Sequence, residues 1–265
     1  MNPAFAYIYD ELCSERRLEK DVSLLETELS RRGIEGRIVR LAMFRQPKDV
    51  VFELMRGPVK NLVFVGNDLT LQKMMPFLPD VDVTFGYISL SPPSALAQHL
   101  GIPFGAAGVD AVAARLVETL DVGKINDRYF FTEVVAPEMR ASLDIEGRYR
   151  LQPAEGGAIA IRNLAGTSGK GCSHPQDGKL EAFIQARVEP KGIAFWKKSA
   201  LSESHIFFTH GTLSSEKAIE LFVDGQSIRG NSFSLSVLPR KIRMITGKQK
   251  GWEVNSASLV RKGIS

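Results

Sequence analysis

Cysteine is scarce in this chain: Cys13 and Cys172 are the only two in 265 residues. They lie far apart with no CxxC, which excludes a disulfide framework and leaves two reduced thiols. Histidine is nearly as sparse. His99, His174, His205 and His210 are scattered without metal-ligand spacing, and the i, i+5 step from His205 to His210 in a strand-like run places them on opposite faces, so no zinc site is expected. No stretch approaches the roughly 20 apolar residues of a membrane span. The acidic start Tyr9-Asp10-Glu11 is unlike a signal peptide, so the expected address is cytoplasmic. Charge is also undramatic: 34 Lys and Arg against 30 Asp and Glu leave a net +4. That balance carries no argument for nucleic acid, and none is expected as a partner.

What is present is apolar patterning. Hydrophobic residues make up 44% of the sequence, enough for one large domain or two modest ones. Ala4 to Tyr9 reads as a strand, Arg16 to Arg32 as a helix stopped by Gly33, Gly36 to Met43 as a strand and Pro47 to Met55 as a helix. Asn61 to Val65, Thr70 to Phe77, Val83 to Leu90 and Ala95 to Leu100 continue the alternation, and Val109 to Leu120 is predicted as a further helix. Strands alternating with helices at this interval predict a parallel, Rossmann-like sheet. From Lys124 the texture changes to short β-like runs punctuated by Gly, Pro, Asn and Asp, predicting an antiparallel β-sandwich. The expected organisation is α/β over 1–122, β-sandwich over 123–246 and a loosely ordered tail over 247–265.

Ligands of a parallel sheet bind beyond the carboxyl ends of its strands. Two such ends are the turns at 66–70 and 90–94. The first runs Val65-Gly66-Asn67-Asp68-Leu69-Thr70 from an apolar strand into a helix, the arrangement that sets backbone N–H groups against a phosphate. Only Gly66 is glycine there, and a left-handed Leu69 would cost roughly 1–2 kcal/mol. Asp68 reads equally well as the cap of the following helix, and Asp224-Gly225 and Asp177-Gly178 as turns. Gly169-Lys170-Gly171 lacks the spacing of a P-loop.

Several segments, in order, resemble the diacylglycerol kinase catalytic-domain family, lipid kinases that include sphingosine kinases and are related in fold to NAD kinase. Gly66 to Thr70 is similar to the family's G-G-D-G-T. Ser89 to Pro103, ending Leu100-Gly101-Ile102-Pro103, aligns with P-L-G-T-x-N-D-F-A-R-x-L-G-I-P. Asp121 to Phe130 resembles the crossing into the β domain. Asn163, the glycine-rich loop at 166–171 and Asp177-Gly178-Lys179-Leu180 resemble N…G-G-G…P…D-G-x-L, and Val223-Asp224-Gly225-Gln226 the late D-G-E.

The resemblance implies ATP-dependent phosphoryl transfer to a lipid hydroxyl, with Mg²⁺. It marks Gly66, Asn67, Asp68, Thr70, Ser91 and Ser94 as nucleotide contacts, Asp68 as a metal contact, and Asp224 and Gln226 as a degenerate catalytic pair. The departures fall on the chemistry. Leu69 replaces a glycine, and Pro92, Ser94 and Ala95 stand where the family has Thr, Asn and Asp. Gln226 replaces a Glu, and a neutral amide cannot serve as a general base. The opening strand has Tyr9-Asp10-Glu11-Leu12 in place of Asn-Pro-x-x-G. Two readings stay open: a lipid kinase with degraded motifs, and an inactive pseudokinase kept as a ligand-binding or regulatory module. Arg240, Lys241, Arg243, Lys248 and Lys250 read either as an ordinary solvated face or as a basic face for anionic lipid, which would suit peripheral membrane association, and a homodimer is left open.

Overall fold

The computed structural model describes residues 4–41, 47–137, 141–153, 157–164, 173–188 and 200–253. The loop at 166–171, Cys172 and the tail from 254 lie outside the described residues. The chain divides into two compact units, one formed up to Leu120 and again from Arg240, the other by Asp121–Gly166 and Ser173–Pro239.

The first unit is a parallel α/β layer. Its strands β1 (Phe5–Tyr9), β2 (Gly36–Arg40), β3 (Asn61–Gly66) and β4 (Thr84–Ser89) alternate with α1 (Glu19–Arg31), α2 (Pro47–Met55) and α3 (Asp68–Met74), and β4 leads into α4 (Ala95–Leu100) and α5 (Gly108–Ala114). The spatial order is β2, β1, β3, β4, all parallel. The reversal of order between β1 and β3 is a topological switch point. Side-chain alternation explains the layering. Phe5, Tyr7 and Tyr9 of β1 pack with Val22, Leu25 and Leu29, the i, i+3, i+7 stripe of α1. Phe64 and Phe85 stack at 6.3 Å on the other face.

The predicted helix over 109–120 stops at Ala114. Arg115 turns left-handed at φ 51° and Leu116–Ile125 becomes β5. Spacing by four pairs Leu116 with Leu120 as a helical face, but Leu116 is 43% exposed, residues 120–123 are buried in succession, and ladder pairing with Arg128–Phe130 decides for a strand.

The second unit is antiparallel. It holds the hairpin of β5 with β6 (Arg128–Phe130), then β7 (Glu133–Ala136), β8 (Ala141–Ile145), β9 (Tyr149–Leu151), β10 (Ala158–Arg162), β11 (Leu180–Val188), β12 (Ala200–Phe208), β13 (His210–Val223) and the start of β14 (Gln226–Thr246). β10 pairs with β7 and β11, β11 with β12, and β13 with β7, β8 and β14. Phe131 and Thr132 separate β6 from β7.

Strand β14 ends at the expected boundary of 246, but it does not stay in the second unit. Its residues from Arg240 belong to the first unit, where Arg243 and Met244 extend the parallel sheet beside Thr84 and Phe85. The start of the expected tail is packed as well. Trp252 is 1% exposed, and Lys250 Nζ bridges Glu118 at 2.6 Å and Glu253 at 2.8 Å. The basic face is thereby reduced, since Arg243 pairs with Asp82 as well. Among the described residues, no helix is long and apolar enough to cross a membrane.

Candidate functional site

Gly66 closes β3 opposite Ser89 of β4, and its carbonyl accepts the Leu90 N–H at 2.7 Å. It is regular strand backbone, without the positive φ of a phosphate-loop glycine. Asn67 follows, its carbonyl accepting the Leu71 N–H, and Asp68 opens α3. Thr70 lies in α3. Leu69 is 60% exposed, so its side chain is in solvent and does not fill the loop.

Asp68 is where the local geometry converges. Its Oδ1 accepts the Tyr87 hydroxyl at 2.9 Å and the Ser94 hydroxyl at 2.5 Å, and its Oδ2 accepts the Leu96 N–H at 3.3 Å. Ser94 meanwhile caps α4 by accepting the Ala97 N–H at 3.0 Å. One carboxylate therefore sits at the N-terminus of α3 and also faces the first turn of α4, neutralising both positive helix ends. Burial, with the Asp68 charge adding to it, pushes the Tyr87 phenol far above its usual range. Burial lowers His99 on α4, and Asp68 opposes that shift. Ser91 stands apart, its carbonyl accepting the Ser89 hydroxyl at 3.3 Å.

The switch point between β1 and β3 is closed by the turn that replaces the expected Asn-Pro-x-x-G. Glu11–Ser14 forms a short 3₁₀ turn capped by Asp10, whose Oδ1 accepts the Leu12 N–H at 2.9 Å. The Asp10 N–H and the Cys13 thiol both donate to the Val65 carbonyl, at 2.9 and 3.5 Å. Burial pushes the Cys13 thiol up to about 12.

In the second unit, Asp224 and Gly225 form a two-residue hairpin turn between Val223 and Gln226, at φ 45° and 78°. The Asp224 carboxylate reaches the break between β6 and β7. It accepts the N–H groups of Phe131 at 2.7 Å, Thr132 at 2.9 Å and Glu133 at 3.0 Å, and also the Thr132 hydroxyl. Burial raises its carboxyl from the usual range, while these four donors pull the other way. Asn163 adds to the same junction through Nδ2 bonds to the carbonyls of Asp121 and Phe131, at 2.9 and 3.0 Å. Gly178 donates to Asp121 Oδ2 at 2.7 Å. Asp121, Asn163, Gly178 and Asp224 are thus gathered into one buried polar junction, whereas Gln226 is exposed at the start of β14.

No protein-family model matches the sequence, and no curated protein matches it either. Solved structures do. A "putative diacylglycerol kinase" from Bacillus anthracis str. Sterne superposes with a TM-score of 0.75 at 14% identity, covering 92% of this chain and 98% of its own. A diacylglycerol kinase structure from the same strain gives 0.74 at 15% identity, over 92% and 97%. The chain has the diacylglycerol kinase fold. Within that fold, of the six residues expected as nucleotide contacts, Asp68 and Ser94 bond to each other, the carbonyls of Gly66, Asn67 and Ser91 accept local hydrogen bonds, and Thr70 lies within α3. Tyr87 was missed at the sequence level. Its only signal was a polar-tipped aromatic two residues before Ser89 in a buried strand.

Proposed function

We propose that this protein is a non-catalytic relative built on the diacylglycerol kinase fold, a ligand-binding or regulatory module without ATP-dependent phosphorylation of a lipid hydroxyl. One observation carries the reading: Asp68 and Asp224, the carboxylates expected as metal contact and catalytic group, are both engaged by internal donors. A magnesium ion needs carboxylate oxygens with open lone pairs. Asp68 Oδ1 already takes two hydrogen bonds, and Asp224 takes four bonds and is 6% exposed. Among the described residues, no group of three or more His, Cys, Asp and Glu is placed to hold a metal. A phosphate arriving at α3 would meet the Asp68 charge in the place of a positive helix end. These residues therefore do not fit magnesium or the ATP phosphates, and the exposed Gln226 amide offers no base.

The rival reading, a working lipid kinase, draws on Asp68 Oδ2, which has one long contact of 3.3 Å among the described residues. Calorimetry with ATP, with and without Mg²⁺, followed by radiolabel transfer to diacylglycerol and sphingosine-like lipids, separates the two. The expected result is neither saturable Mg·ATP binding nor transfer. Turnover that disappears in Asp68→Ala would overturn the proposal in favour of the kinase.

A further inference from the structure

The antiparallel unit carries charged side chains on the sheet face opposite its hydrophobic core. Val134, Ile161, Ala182 and Ile184 of β7, β10 and β11 enter that core. Alternation turns Glu133, Arg162, Glu181 and Phe183 the other way. All four are nevertheless buried, at 7%, 3%, 6% and 6% exposure. Arg162 Nε donates to Glu133 Oε2 at 3.3 Å, and its guanidinium lies 4.0 Å from the Phe183 ring centroid. Glu181 Oε2 accepts the Ser173 hydroxyl at 2.8 Å, and Oε1 meets His205 Nδ1 at 2.8 Å. Buried ion pairs return little net stability against an apolar packing of similar volume.

The network reaches solvent at His205, whose side chain is 59% exposed. A carboxylate only accepts, so the hydrogen sits on Nδ1, and in the neutral ring Nε2 carries the lone pair. The ring is held in that attitude. It stacks on Phe183 at 5.7 Å and 7°, and meets Phe207 edge-on at 6.4 Å. Phe207 is itself 51% exposed, so an oriented acceptor lies beside an open aromatic face.

We propose that His205 Nε2 is a proton-accepting recognition point for a ligand that joins a hydroxyl to an apolar ring or chain. The hydroxyl donates to Nε2, the apolar part lies on Phe207, and Glu181 positions the imidazole. This inference rests on the second unit alone and is independent of nucleotide binding.

Nitrogen-resolved NMR of the His205 imidazole in the full-length protein tests it, with His205→Phe identifying the signal. An Nδ1–H tautomer is expected, together with a saturable Nε2 shift on adding millimolar benzyl alcohol. In Glu181→Gln, which preserves shape, the tautomer preference should weaken and benzyl alcohol should bind several-fold less tightly. An Nε2–H tautomer in the unsubstituted protein, a response to benzoate alone, or no response to either probe each overturns the proposal.

Discussion

The Tyr87 hydroxyl donates to Asp68 Oδ1 at 2.9 Å, joining the middle of β4 to the first turn of α3. The bond gives Asp68 a structural role on its own unit and takes lone-pair capacity from the position where a nucleotide contact was expected. Tyr87→Phe removes only that donor. Because hydrogen bonds to charged groups are worth about 1.5–3 kcal/mol, the variant should lose stability of that order in urea unfolding. An unchanged midpoint would show that Asp68 does not depend on Tyr87.

Tyr7, Tyr9 and Tyr87 are all raised well above the ordinary phenol range, chiefly by burial. A folded-state pKa above the unfolded value gives stability that is complete below about pH 10 and is lost as pH rises beyond it. Absorbance titration at 295 nm should show these three phenols ionising together with alkaline unfolding. Smooth ionisation of all five tyrosines in a folded protein would contradict this.

Asp224→Ala leaves three backbone N–H groups and the Thr132 hydroxyl without their acceptor. Unsatisfied buried donors cost about 1–3 kcal/mol each, so this variant should fail to fold or lose more than about 3 kcal/mol. Gln226→Ala, at an exposed position, should stay within about 0.5 kcal/mol of the unsubstituted protein. Equal effects at the two positions would contradict a purely structural role for Asp224.

The C-terminal segment docks by close backbone approach. A Cβ on Gly247 would lie 1.7 Å from the Gly101 carbonyl oxygen, and one on Gly101 would lie 2.3 Å from that of Gln249. Gly247→Ala should therefore release the segment and expose Trp252, red-shifting its fluorescence in a background with Trp196 replaced by Phe. A spectrum unchanged from the parent would show that the segment does not need this approach.

In a Cys172→Ser background, Cys13 should resist thiol reagents at pH 8, because burial raises its thiol to about 12. Reaction should begin only on unfolding, measurable as a label that appears with the denaturation transition. Rapid labelling of the native protein would overturn this.

The parallel order of the first unit was legible because apolar runs alternate with helical stripes ended by glycine, both local signals. Local patterning also marked Asp68 and Asp224, but left each with two roles: helix cap or nucleotide contact for the first, turn residue or catalytic group for the second. Patterning misjudged Leu116 to Leu120, where a spacing of four suits a helix but the left-handed turn at Arg115 and pairing further along the same strand with Arg128–Phe130 made a strand. It also missed the return of Arg240 to Thr246 to the parallel sheet, since that pairing spans more than 150 residues of chain and leaves no local trace.

What the sequence by itself determined is the class of each half and the positions where charged and glycine residues interrupt the apolar pattern. Only the tertiary structure decided what those residues do. A carboxylate's chemistry depends on which donors reach it: Tyr87 and Ser94 come to Asp68 from 19 and 26 residues away, and the backbone of Phe131 to Glu133 comes to Asp224 from more than 90. Distances of that kind are set by packing, which the periodicity of a chain does not encode.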